Sequence, residues 1–119
     1  MKEIPEMQLY NNGEIKMIFS KDHIEKIRDG TKTQTRRLKS NYKIGQNYAV
    51  QPGRGKRAIP DMRIEILDIW QEKLGEISEE DCREEGYGSR EDYREVWAKI
   101  NKKYEPDQVV YAIKFRMCR

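Results

Sequence analysis

Residues 30–39 read Gly-Thr-Lys-Thr-Gln-Thr-Arg-Arg-Leu-Lys. The glycine stands where a short helical pattern ends, and glycine readily takes the left-handed backbone that stops a helix. Behind it, Thr33, Thr35 and Arg37 alternate as strand residues do. The stretch is therefore a helix stop running into a strand, and it carries Lys32, Arg36, Arg37 and Lys39.

Upstream, residues 15–19 (Ile-Lys-Met-Ile-Phe) predict a first strand with Ile15, Met17 and Phe19 on one face. Ser20 is a good N-cap for a helix over 21–29 that buries Ile24 and Ile27. Residues 1–14 are polar, contain Pro5 and an Asn-Asn-Gly turn, and are expected to form a loose leader. Residues 15–119 are expected to form a single domain, since neither repeat nor linker interrupts them.

Downstream, a turn at Gly45 leads to a strand over 47–51 and a Gly/Pro/Arg loop over 52–60. Residues 62–71 predict a long strand whose alternation slips between Ile66 and Leu67, the mark of a bulge or bend. Ser78 opens a short acidic helix, with Asp81 placed for a capping box. Gly86 and Gly88 break it. Ser89, with Asp92 three residues on, opens the strongest helix. There Tyr93, Val96, Trp97, Ile100 and Tyr104 make one apolar face, expected to be core rather than ligand wall. Trp70 is expected in the core as well. Pro106 ends the segment, and residues 108–117 predict a last strand with Val109, Tyr111, Ile113 and Phe115 on one face. This order predicts an α+β fold: a small curved sheet or β-barrel with two or three inserted helices.

Composition narrows the function. Of 119 residues, 36% are hydrophobic and 38% charged, so the core is small and the surface heavily charged. A net charge of only +3 argues against disorder. Neither a membrane-spanning run nor a signal peptide is visible, which predicts a cytoplasmic protein. Cys82 and Cys118 are the only cysteines and match no zinc spacing, so free buried thiols are expected. His23 is the only histidine, expected to be surface or half-buried. No metal or cofactor is expected.

The charge is unevenly spread. Residues 30–60 hold eight Lys and Arg and no acid, while residues 76–95 hold nine acids against three arginines. The basic window, interleaved with Tyr42 and Tyr48, fits a phosphate-rich partner, or else a solvated face neutralised by the acidic segment. Arg54, Lys56 and Arg57 in the loop are candidates for RNA phosphates; a soluble turn is the alternative.

Four features, in order, resemble the ASCH family, small proteins with a barrel like that of the PUA RNA-binding domain. They are Gly30-x-Lys32-x-x-Thr35-x-Arg37; then Lys43-x-Gly45-Gln46-x-Tyr48-x-Val50, with Gln46 in place of the usual Asp; then Ser78-Glu79-Glu80-Asp81 leading to Glu84-Glu85-Gly86; and last an aromatic-rich helix, Pro106 and a Val-Tyr-x-Ile-x-Phe strand. The resemblance spans residues 18–115. It implies an RNA-associated cleft. Some short bacterial members are amidohydrolases that deacetylate N(4)-acetylcytidine, and in those the signature holds Thr rather than Glu. The resemblance then places catalysis on Lys32, Thr35 and Glu85, and the signature arginine on Arg37. Arg36, Arg37 and Tyr87 are the candidates for substrate binding. The loop over 52–60 and the long helix after Ser89 exceed the shortest amidohydrolases.

Three functions follow from this reading. The first is a small amidohydrolase acting on an acylated nucleoside. The second is a non-catalytic RNA-binding module. The third is a ribonuclease using Lys32, Arg37 and a carboxylate. The expected partner is a nucleoside or RNA, and no membrane.

Amide hydrolysis needs a nucleophile, a base and donors for the oxyanion. Thr35 offers a hydroxyl. Lys32 serves as base only if its pKa falls below the ordinary value of about 10.4. Burial and Arg36 and Arg37 lower it; an ionised Glu85 opposes them, and either orients Lys32 or is itself the base. Residues three apart on a strand face opposite ways, so Lys32 meets Thr35 only if Lys32 lies in the turn after Gly30. Set against this chemistry is a structural ion pair of Lys32 or Arg37 with Glu85, with Thr35 a mere strand residue. Glu84 is the alternative partner. Tyr87 either stacks a base or packs as core.

Overall fold

The protein was analysed as a computed structural model, which describes residues 16–118. The expected leader and Ile15 lie outside those residues. The elements run β1 (Met17–Ile18), α1 (Lys21–Arg28), β2 (Gln34–Arg37), β3 (Asn47–Gln51), β4 (Arg63–Lys73), a 3-10 turn (Leu74–Glu76), α2 (Glu79–Glu84), α3 (Arg90–Asn101) and β5 (Val109–Met117).

Five strands form one mixed sheet in the order β1-β3-β4-β5-β2. β1 pairs parallel to β3, and the remaining pairs are antiparallel. The expected barrel is corrected here: β1 and β2 are the two edges, and no backbone ladder joins them. With two and four residues they offer little edge for one. A side chain bridges the gap instead, as Arg37 Nη2 donates to Ile18 O at 2.9 Å. The sheet is therefore open as a ladder, with its edges tied by one guanidinium.

Local chemistry accounts for most element ends. Ser20 Oγ accepts from His23 N at the start of α1, and Gly30, at φ 86°, turns the chain out of it. Ser78 Oγ accepts from Asp81 N, but the Asp81 carboxylate turns to Arg36 and Gln34, so the expected capping box is one-sided. In β4 the register shifts between Ile66 and Asp68. That bulge at Leu67 changes the inward phase: Ile64 and Ile66 face the core before it, Ile69 after it. Among the described residues no helix is long and apolar enough to cross a membrane.

Two apolar clusters hold the sheet. One joins α1 to the strands through Phe19, Ile24, Ile27, Ile64, Ile113 and Phe115. The other lies under α2 and α3, with Leu74, Ile77, Cys82, Tyr93, Trp97 and Val110. β5 therefore has apolar neighbours on both faces, and the face expected to carry Val109, Tyr111, Ile113 and Phe115 is buried only towards its end. Val110 and Ala112 are fully buried, Val109 is 51% exposed and Tyr111 half-buried.

Other expectations are corrected locally. α3 stops at Asn101 because Lys102 is left-handed, so Tyr104 lies beyond the helix. Ile100 is 71% exposed rather than core. Trp70 is half-buried, and its Nε1 donates to Glu72 Oε1 at 2.8 Å. Tyr42 and Tyr48 pack edge to face, ring centroids 5.0 Å apart, against the first cluster. Cys82 is buried, and burial pushes its thiol up to about 11; Cys118 is only partly buried.

Candidate functional site

The chain between Gly30 and β2 is pinned on three sides. Lys32 N donates to Lys26 O in α1, Thr33 N to Glu84 O in α2, and Phe115 N in β5 to Thr33 O. Lys32 thus lies in the extended link before β2, which is the condition for it to reach the same place as Thr35. Its side chain runs inward until the residue is only 2% exposed. Lys32 Nζ donates to Glu85 O at 2.8 Å and to Glu85 Oε1 at 3.1 Å.

Glu85 is the C-cap of α2, followed by Gly86 at φ 102°. Lys26 Nζ donates to Gly86 O at 2.7 Å, a cation from the last turn of α1 at the end of α2. A side chain at position 86 would crowd that lysine, whose Cδ would lie 3.1 Å from an added Cβ.

The other oxygen of Glu85 belongs to Arg36. Arg36 Nη1 donates to Glu85 Oε2 at 3.1 Å and to Gln34 Oε1 at 2.8 Å. Its Nε donates to Glu72 Oε2 at 2.8 Å and its Nη2 to Asp81 Oδ2 at 3.2 Å. Gln34 Nε2 in turn donates to Asp81 Oδ1 and Glu84 Oε1. Glu84 is thereby excluded as the direct partner of Lys32: its carboxylate takes Gln34 and Thr33. Three acids and a glutamine thus surround one guanidinium, a buried network with its hydrogen-bonding groups largely matched.

The network sets the charges. Burial pulls the Lys32 ammonium below the ordinary lysine value, and contact with Glu85 only partly offsets it. Burial also pulls on Arg36, but Glu72 and Glu85 more than restore it, so Arg36 stays charged. Burial lowers Arg37 as well; a guanidinium nonetheless remains protonated in proteins.

Thr35 is 6% exposed. Its hydroxyl has one long contact, from Arg37 Nε at 3.5 Å. The Arg37 guanidinium lies 4.9 Å from the Phe19 ring centre, and Lys32 Nζ lies 5.9 Å from the same ring.

Phe19, Lys32, Thr35, Arg36, Arg37 and Glu85 line one cleft of about 820 Å3, with Glu72, Asp81 and Glu84 behind it. The structure brings together Lys32, Thr35, Glu85, Arg36, Arg37 and Tyr87. It leaves Arg54, Lys56 and Arg57 off the cleft lining. Among the wall residues not expected there, three stand out. Tyr93 and Trp97 belong to the second core cluster, as the apolar stripe implied, and also form the cleft wall. His23 faces Tyr87, its Nε2 3.1 Å from Tyr87 Oη. The helical spacing of Tyr93, Val96, Trp97 and Ile100 was the available signal; His23 had none, since only the tertiary approach of α1 to the turn after α2 brings it to Tyr87. Among the described residues no three His, Cys, Asp or Glu side chains group to hold a metal ion.

Burial, then Lys32 and Lys26, lower the His23 pKa from 6.5 to about 4, against a smaller opposing pull from Asp22. Burial and Glu85 raise Tyr87 to about 12. Between pH 6.5 and 4 the unfolded chain binds the His23 proton and the native one does not. Stability is therefore expected to fall as pH drops through that window, by up to about 3 kcal/mol at its acid end. Urea midpoints against pH check this: His23→Gln should flatten the slope, and an unaltered slope would assign it to carboxylates.

The fold has counterparts among solved structures. An ASCH domain from Lactobacillus crispatus JV V101 superposes with a TM-score of 0.69 at 16% identity, over 92% of this chain and 84% of that one. A hypothetical protein designated PH0355 gives 0.66 at 20% identity, over 87% and 97%. A protein from Enterococcus faecalis V583, described by the family model DUF984, gives 0.61 at 14% identity, over 96% and 84%. No family model and no curated protein matches by sequence. At these identities the likeness establishes the fold: the chain has the architecture of an ASCH domain.

Proposed function

We propose that the cleft is the active site of an ASCH-family amidohydrolase that removes an acyl group from the exocyclic amine of a nucleoside such as N(4)-acetylcytidine. One observation carries the reading. A lysine with a depressed pKa and a scarcely engaged threonine hydroxyl line the same cleft, and the lysine's carboxylate partner has a second cation of its own.

That second cation matters. When Lys32 loses its proton, Glu85 remains paired with Arg36, so the neutral amine leaves no buried carboxylate stranded. Glu85 acts as a positioning residue, with both oxygens occupied. Lys32 takes the Thr35 hydroxyl proton as the oxygen attacks the acyl carbon. Arg37 Nη1 faces no protein acceptor among the described residues and is available to the carbonyl oxygen as charge develops. The Lys32 ammonium then returns its proton to the departing amine, releasing the nucleoside. Water, deprotonated by Lys32, attacks the Thr35 ester; the bond to the Thr35 oxygen breaks as Lys32 hands that oxygen the proton, and the acid leaves.

The pH profile tests this assignment. The active form is the neutral amine, so kcat/KM is expected to rise with pH along one limb, with an apparent pKa below the ordinary lysine value of about 10.4. A rate that falls across the same range would make Lys32 a cationic stabiliser instead.

Non-catalytic RNA binding is the second reading. It is favoured by Arg54, Lys56 and Arg57, exposed together on a loop outside the cleft. It requires affinity that declines steeply with salt and no chemistry. A ribonuclease using Lys32, Arg37 and a carboxylate has less support: the cleft carboxylate, Glu85, has one oxygen on Lys32 and the other on Arg36.

A further inference from the structure

The wall opposite the ionic floor carries two buried polar atoms without partners, Tyr93 Oη and Trp97 Nε1. Tyr93 is 3% exposed and Trp97 8%. They lie one turn apart on α3, ring centroids 6.0 Å from each other. Two more such atoms among the described residues, Arg90 Nε and Tyr104 Oη, belong to residues that do not line the cleft. A buried donor left unmatched is costly and uncommon, and calls for a reason.

Both atoms act as donors here. An indole N–H only donates. The Tyr93 phenol keeps its proton, since burial and the nearby Glu85 raise it far above the ordinary range. Both residues line the cleft while their donors are shut from water, so a shift of the two rings would turn two unmatched donors to its occupant. The ligand they fit is flat and has two neighbouring acceptors with no donor between. A cytosine edge, O2 beside N3, meets that description. A uracil edge does not, because its N3–H would oppose a donor with a donor.

We propose that Tyr93 and Trp97 are specificity-determining residues that read O2 and N3 of a cytosine-type base, and so present its acylated N4 towards Lys32 and Thr35. The inference deepens the amidohydrolase reading and rests on it for the fate of N4. Water does not reach either donor in the free protein. Engaging a base therefore takes a side-chain shift at the wall, where Ile100 is largely exposed.

The test measures Kd for cytidine and for uridine in wild type, Tyr93→Phe and Trp97→Phe, with turnover of N(4)-acetylcytidine assayed alongside. Each variant keeps an aromatic ring and loses one donor. Wild type should prefer cytidine, and each variant should weaken cytidine binding about tenfold while barely moving uridine. Tyr93→Phe should also leave Tm unchanged or raised, since it deletes an unmatched hydroxyl. A cytidine-to-uridine ratio unchanged in Tyr93→Phe overturns the proposal, whatever happens to Tm. So does a wild type that binds no cytidine. If the ratio collapses but nothing is hydrolysed, base reading stands and the amidohydrolase reading falls. If hydrolysis proceeds with the ratio unchanged, the reverse holds.

Discussion

Thr35→Val is expected to reduce acyl release by a factor on the order of a thousand or more, with the fold intact. Valine keeps the β-branched shape, which a strand accommodates. What disappears is one hydroxyl whose one hydrogen-bond partner among the described residues is Arg37 Nε, at 3.5 Å. Arg37 keeps its bond to Ile18 O and its place over Phe19, so nothing charged is stranded. The stability change should stay within about 1.5 kcal/mol. Product release and a thermal melt, run on the same preparation, check both halves. An unfolded variant would make Thr35 structural, and an active one would place the nucleophile elsewhere.

Arg36→Met is expected to destabilise the protein by about 3–5 kcal/mol. The guanidinium is buried and donates to Gln34, Glu72, Asp81 and Glu85. Glu72 and Asp81 keep some solvent contact, but the Glu85 side chain is only 4% exposed. Removing Arg36 leaves Glu85 with Lys32 alone, so the lysine should hold its proton more firmly and any surviving activity should move to higher pH. Lysine at position 36 should rescue little, since one ammonium cannot span those acceptors as a planar fork does. Urea unfolding reads the loss; a change below about 1 kcal/mol would mean the acids find other partners or water.

The elements were legible where their causes were local. Ser20, Ser78 and Ser89 each cap the helix they precede. β3 falls on the expected residues, and the slip at Leu67 is a real register shift. Failures came where tertiary contact decides. Alternation in β5 puts Val109, Tyr111, Ile113 and Phe115 on one face but cannot say that the other is buried too, and the second cluster under α2 and α3 buries Val110 as fully as Ile113. Barrel closure depends on two short edges meeting, which no pattern within either strand records.

The site divides in the same way. The cluster of Lys32, Thr35, Arg37 and Glu85 was visible through a resemblance in motif order. The partners that set its charges, Glu72 and Asp81, were not: an acid 36 or 45 residues from Arg36 gives no sign that it will meet it. The apolar stripe on α3 was seen, but periodicity cannot tell a core face from a cleft wall when Trp97 serves as both.

The most direct measurement is cytidine release from N(4)-acetylcytidine by the wild-type protein and by Lys32→Met, followed by absorbance. The amidohydrolase account predicts steady release by the wild type and none above background by a folded variant. Equal release by both, or none by the wild type at high enzyme concentration, would contradict it.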